Sequence, residues 1–232
     1  GTNGTNGTNG TNGTNGAAGA SSPTGFTARS VCGADGTTLC AVGVQGPGGG
    51  TVFYVDTTNE MQGFDYLEAA PTDASPSAVF STTTTMCGPD VTLNCTTSYV
   101  SDRGSSVNRF GLGTGREATT ELVNRHSYGS VSKSSYAAGI ADSYSTSSAS
   151  DWWLPSRDEL NELCKFARNT GQAVGASTEC RGGSVRPGFA DGYYSSSEAS
   201  AGLAYTQDFS SFGNQNYGAK TQSAAVRAIR GF

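Results

Sequence analysis

The sequence predicts an α+β domain carried behind an extended, repetitive N-terminal arm. Three observations point there. Short runs rich in β-branched and aromatic residues, among them Thr51-Val52-Phe53-Tyr54-Val55-Asp56, read as strands. A few separate stretches carry helical spacing, and one of them opens on a capping signature at Ser156. Ahead of both stand five Gly-Thr-Asn triplets, from Gly1 to Asn15.

Glycine at every third position is the pattern of backbones that pack against other backbones, because only glycine fits the crowded axis of three polyproline-II-like chains. Gly1, Gly4, Gly7, Gly10 and Gly13 are therefore assembly positions. Proline is missing from every triplet, so nothing pre-sets the extended conformation. A triple helix of these residues alone is weak, and the arm needs partner chains or sugars to stay ordered. At about 3.1 Å per residue it spans roughly 45 Å. Asn3, Asn6, Asn9 and Asn12 each precede Gly-Thr and satisfy the N-glycosylation pattern, a match that any Gly-Thr-Asn repeat generates. Thr2, Thr5, Thr8, Thr11 and Thr14 are O-linked candidates, and Asn94 precedes Cys-Thr inside the domain. A flexible glycine-rich linker is the competing reading of the repeat. The organisation expected is an arm over 1–16, a neck of small residues and Pro23 over 17–25, and one domain over 26–232.

Composition narrows the function classes. Charged residues make up 14% of the chain, beside 33 glycines and abundant Ser and Thr, a balance of loop-rich extracellular β-containing proteins. A net charge of -5 argues against nucleic acid, which needs a basic face. No stretch approaches the apolar length of a membrane span. The start at Gly1 instead of Met leads us to expect a processed or truncated N-terminus whose secretion signal lies upstream. Six cysteines fall into three short-range couples, Cys32 with Cys40, Cys87 with Cys95 and Cys164 with Cys180, and neighbour pairing as disulfides is expected. Spacing leaves the other connectivities open. Zinc is the weaker reading, because His126, the one histidine, is remote from every cysteine. Disulfides place the chain in an oxidising compartment, outside the cell or on its surface.

Along the chain, Gly46-Pro47-Gly48-Gly49-Gly50 leads into the first strand; no Lys-Ser/Thr follows, so it is not a phosphate loop. Tyr66 to Ala70 is a second strand, and Pro71 to Phe110 a long Ser/Thr-rich excursion of the kind that makes functional or assembly surfaces. Helices are expected over Arg116 to Arg125, Ser135 to Tyr144, and from the Ser156-Arg157-Asp158-Glu159 capping box onward, with Leu160, Leu163 and Cys164 on one face. Asp158, Glu159 and Glu162 near that start read as solvated charges favoured by the helix dipole. Strands return at Tyr193 to Glu198, Leu203 to Phe209 and Ala224 to Arg230, with Asn214-Gln215-Asn216 in a polar connection.

Several of these segments also resemble a family. Gly48-Gly49-Gly50-Thr51-Val52-Phe53-Tyr54-Val55, Leu67-Glu68-Ala69-Ala70-Pro71, Gly111-Leu112-Gly113-Thr114-Gly115, Asp151-Trp152-Trp153-Leu154-Pro155-Ser156-Arg157-Asp158-Glu159-Leu160, Tyr194-Ser195-Ser196-Ser197-Glu198 and Val226-Arg227-Ala228-Ile229-Arg230 resemble, in order, the domain at the C-terminus of the Legionella collagen-like adhesin. The resemblance covers most of Gly46 to Phe232. It implies a C-type lectin-like fold with two or three short helices and a looped antiparallel sheet, in a family whose collagen-like members trimerise and act in adhesion at cell surfaces. The calcium motifs of sugar-binding C-type lectins are absent and the chain is acidic, so neither calcium nor glycosaminoglycan binding carries over and no cofactor is expected.

Nucleophilic hydrolysis needs a base held by a third group, and the chain has one histidine and no G-x-S-x-G. His126 reads as a surface or helix C-terminal capping side chain. A glycoside hydrolase is the weakest alternative, kept because paired carboxylates obey no spacing rule. Candidate contacts to a glycan or protein partner are Trp152, Tyr193, Tyr194, Phe212, Asn214, Asn216 and Tyr217, aromatic faces beside amide groups that bond hydroxyls. Tyr205 and Phe209 read as the core face of a strand. Trp152 and Trp153 must point to opposite sides, one into the core and the other outward. The leading reading is a secreted, non-enzymatic structural protein whose arm assembles it with itself into a fibre or filament. A trimeric adhesin binding glycans is the alternative.

Overall fold

The computed structural model describes residues 26–82, 110–169, 180–200, 202–210 and 212–232. The arm with its glycines and glycosylation candidates, the neck, Cys87, Asn94 and Cys95 lie outside the described residues.

The domain is α+β. In chain order come β1 (Thr51–Val55), β2 (Tyr66–Ala69), β3 (Ser75–Val79), α1 (Gly115–Tyr128), a single 3-10 turn, α2 (Ala137–Asp142), α3 (Arg157–Arg168), β4 (Gly192–Ser200), β5 (Leu203–Asp208), β6 (Gln215–Ala219), β7 (Ser223–Val226) and β8 (Ile229–Gly231). Two sheets form, β1-β2-β8 and β3-β7-β4-β5-β6. All strand pairs are antiparallel except β4 with β7.

Three elements differ from expectation. The excursion after Pro71 contains β3, which pairs only with β7 and so tolerates Pro76, as an edge strand can. Gln215 and Asn216 belong to β6 and not to a loop, with Asn216 opposite Thr206. The expected strand from Ala224 to Arg230 is two strands, because the chain leaves the large sheet at Arg227-Ala228 and enters the small one at Ile229.

Local chemistry explains the helices. α3 starts on the expected capping box, Ser156 accepting from the Glu159 amide while the Glu159 side chain takes the Ser156 amide, and ends at Asn169, whose φ of 51° is the left-handed turn asparagine tolerates. α1 carries Glu117 in its first turn and Arg125 and His126 in its last, the arrangement its dipole favours.

The five-stranded sheet is covered on both faces. On one side α1 and α2 bring Leu122, Ala137 and Ala138 against Phe80, Tyr194 and Val226. On the other, α3 and the small sheet bring Leu160, Leu163 and Leu67 against Tyr193 and Phe209. Neighbours in sequence therefore serve opposite cores. Tyr193 and Tyr194 separate in this way, as do Trp153 and Trp152, and no member of either pair reaches the surface.

A third, smaller cluster lies where the chain enters the domain. Cys32, Cys40, Val52 and Tyr66 are buried there, with Phe26, Val31, Val44, Val55 and Phe232 packed around them and only partly covered. Cys32–Cys40 and Cys164–Cys180 are disulfides, as expected from spacing. Among the described residues no helix is long and apolar enough to cross a membrane.

Candidate functional site

The buried charges occupy the segments with the most distinctive sequence. Glu68 on β2 is fully buried, and its carboxylate accepts from the Gly48 amide at 2.8 Å, the Gly50 amide at 3.1 Å and Arg230 Nη1 at 2.7 Å. The glycine loop thus wraps a carboxylate of its own chain. A Cβ at Gly46 or Gly48 would land on that carboxylate, so these positions require glycine for space. Arg230 reaches on to Asp151 at 2.7 Å and joins β8 to the segment before Trp152.

Glu159 repeats the arrangement. The Gly113 amide at 2.9 Å, the Gly115 amide at 3.4 Å, the Ser156 amide at 2.7 Å and Trp153 Nε1 at 3.3 Å all donate to its carboxylate. Burial pushes the carboxyl up to about 7, while the donors from Ser156, Trp153, Gly115 and Gly113 pull against that shift. The sequence reading of Glu159 as a solvated charge is corrected: α3 docks its first turn under the Gly111–Gly115 loop, so the capping residue ends up in the core. Glu162 is corrected likewise, buried with Lys165 at 2.8 Å. Asp158 keeps partial exposure and pairs with Arg157.

Glu198 on β4 and Lys220 after β6 form an ion pair with both side chains shut off from solvent. Burial holds the Lys220 ammonium below its ordinary pKa and Glu198 pulls it back up. Arg227, at the sheet switch, bonds Asp73, the Ala70 carbonyl and the Gly188 carbonyl. His126 is not on the surface. It is buried, stacked on Tyr136 with ring centroids 3.8 Å apart, and its Nδ1 lies 2.8 Å from the Leu122 carbonyl, which can only accept. Nδ1 therefore carries the proton, and Nε2, 3.3 Å from Ser81 Oγ, accepts from that hydroxyl. Burial holds the imidazole below its ordinary pKa.

The candidate contact residues divide cleanly. Trp152, Tyr193 and Tyr194 are buried and corrected to core; the Tyr193 hydroxyl donates to Asp73 at 2.9 Å, and the Tyr194 hydroxyl meets the Ala219 and Gln222 carbonyls. Asn214 is half-buried, and its carbonyl accepts from the Asp208 amide. Phe212, 66% exposed, Tyr217, 64% exposed, and Asn216 reach solvent on and just before the outer strand β6. Phe209 is core as expected, whereas Tyr205 is only half-buried and belongs with the exposed group.

That group is organised. Tyr205 and Tyr217 face each other across β5 and β6 with ring centroids 6.3 Å apart, edge to face. The Arg157 guanidinium lies 4.6 Å from the Phe110 ring centre and 5.4 Å from that of Tyr205. Gln215 Nε2 donates to the Arg157 carbonyl and fixes β6 to the start of α3. The row runs Phe110, Arg157, Tyr205, Tyr217 and ends in solvent. On the other face of β5 and β6, to which the residues alternating with Tyr205 and Tyr217 point, a cleft of about 430 Å³ is lined by Thr206, Asp208, Asn216 and Gln222 among others. Phe110 and Arg157 were not legible as site residues, because their neighbours come from β5 and β6. Compared with known proteins, the chain matches no family model and no curated protein.

Proposed function

We propose that the chain is a subunit of an extracellular, non-enzymatic fibre or filament, assembled with copies of itself through the Gly-Thr-Asn arm and carrying the α+β domain as a lectin-like head. One observation supports the reading most. Among the described residues, the buried groups Glu68, Glu159, Glu198, Lys220 and His126 each make bonds that join one segment of the domain to another, and Glu162 pairs with Lys165 within α3. Catalysis needs such groups to meet a substrate; here they meet backbone amides and each other, which makes a stiff building block. The two disulfides fit an oxidising, extracellular setting. Sedimentation of the full chain against a chain lacking residues 1–16 tests the reading. Loss of the oligomer is expected, and an unchanged oligomer overturns it.

Exposed Tyr217, edge to face with Tyr205 at the rim of β6, favours a second reading, an adhesin whose head binds glycans by ring stacking. A glycan array probed with the oligomer should show binding that Tyr217→Ala removes. An array without a binder at high avidity counts against it.

A further inference from the structure

The end of the domain where the chain enters has an unfinished core. Its cluster has four buried members and five only partly buried, where each flank cluster has fifteen buried members, so a larger share of the apolar surface there is left for something else to cover. Leu39, inside the loop closed by the Cys32–Cys40 disulfide, and Val42, two residues past it, are each 54% exposed. The loop is tied directly to the entering chain: the Cys40 amide donates to the Arg29 carbonyl at 2.8 Å, and the Arg29 amide to the Tyr66 hydroxyl at 3.0 Å. Phe26 lies on Tyr66 with ring centroids 5.9 Å apart, and Tyr66 stacks on Phe232 at 5.1 Å.

We propose that this end is a self-association surface, on which the Leu39–Val42 loop of one copy packs against the same end of a second copy. The proposal rests on assembly through the arm and says which part of the head that assembly brings together. Three arguments choose a second copy as the occupant. The chain outside the structure ends here: when arms associate over 1–16, only the neck separates the join from Phe26, so the surfaces around Phe26 meet at high effective concentration. The arm and neck bring little apolar surface of their own, since their apolar residues are Ala17, Ala18, Ala20 and Pro23. Charge also permits it. The protein carries a net -5, yet from Phe26 to Val55 its charged residues are Arg29 and Asp35, one of each sign. Copies that repel elsewhere do not repel here.

The test uses the full-length chain with a photo-reactive benzoyl-phenylalanine at Val42. Irradiation should join two copies, with cross-linked peptides from residues 26–45 of each. Cross-links within one copy to 1–25 or 83–109, or none, overturn the proposal. In parallel, Leu39→Ser with Val42→Ser in the full chain should weaken the oligomer about tenfold or more, with the melting of the isolated head unchanged. An oligomer of unaltered affinity also overturns it. The two readings fail separately. If the chain without 1–16 still assembles and cross-links at Val42, the arm's role falls and this surface stands. If the arm assembles the chain while Val42 cross-links nothing, only the surface falls.

Discussion

The two flanks of the five-stranded sheet and the end at which the chain enters differ in how far their cores are closed. On the flanks most large apolar side chains are buried, fifteen residues in each cluster with a partly covered margin that includes Ile140 and Phe189, and buried charges lock the covering pieces in place: Glu159 under the Gly111–Gly115 loop, Lys220 against Glu198, Arg227 over the sheet switch. The entry end has only four buried apolar residues around its disulfide, with five more only partly covered. The difference teaches where rigidity is intrinsic and where it is to be completed by a neighbour. Closed regions should respond strongly to single changes and the open end weakly, unless other copies are present.

The largest effect is expected at Lys220. Lys220→Met takes the Lys220 ammonium from the buried Glu198 carboxylate, and breaking a buried pair this way costs about 3–5 kcal/mol. Adding Glu198→Leu removes the stranded charge and should recover most of the loss, because an apolar pair avoids desolvating two ions. Urea unfolding of both variants checks this. A double variant no more stable than the single one shows that the pair contributes something beyond mutual neutralisation.

Next comes the entry end itself. Replacing Cys32 and Cys40 by serine releases a loop of 8 residues, which chain entropy values at about 2.5 kcal/mol. The cluster there is small, so the loss should appear as local opening. Hydrogen exchange at the Cys32–Thr38 bridge should accelerate, while amides of β4 and β5 keep their protection. Equal acceleration in both places would erase the contrast between the regions.

Glu159→Gln acts on the closed side and is expected to cost about 1–3 kcal/mol. Each carboxylate oxygen takes two N–H donors, so either orientation of the amide turns an NH2 toward two of them. The same variant carries a pH signature. With a folded pKa of about 7 against 4.5 in the unfolded chain, the native state holds an extra proton between these values, and stability falls as pH rises through that window. The glutamine variant should lose this slope. His126 works in the opposite sense: its folded pKa lies below 6.5, so stability falls as pH drops below that value. Melting temperatures across pH for wild type, Glu159→Gln and His126→Gln separate the two.

How much of this was legible in the sequence follows from which contacts are local. The Ser156–Glu159 box was readable because cap and partner are three residues apart, and it forms as read. Burial of Glu159 was not, since the donors at Gly113 and Gly115 lie on a distant loop. Alternation at Trp152-Trp153 was readable too, but only the tertiary fold puts cover on both faces of the sheet, which turned the expected contact residues Trp152, Tyr193 and Tyr194 into core. β3 was hidden by its Ser-Pro-Ser sequence, whose strand character comes from pairing with β7. Of the candidate site, Phe212, Asn216 and Tyr217 were found on residue type alone, whereas Arg157 enters through the fold.

The smallest effect tests the comparison most sharply. Leu39→Ser with Val42→Ser removes two apolar side chains that are already more than half in water, so the isolated head should change by no more than about 0.5 kcal/mol. A larger loss means that the entry end is a closed core like the flanks, and that its openness does not describe the folded head. Tyr217→Ala supplies the control, because it removes an aromatic of similar exposure from the outer strand of the other sheet. Both variants should melt with the wild-type head. Only the pair at the entry end should lower the affinity between full-length copies, because only that pair lies on the surface the arm brings together.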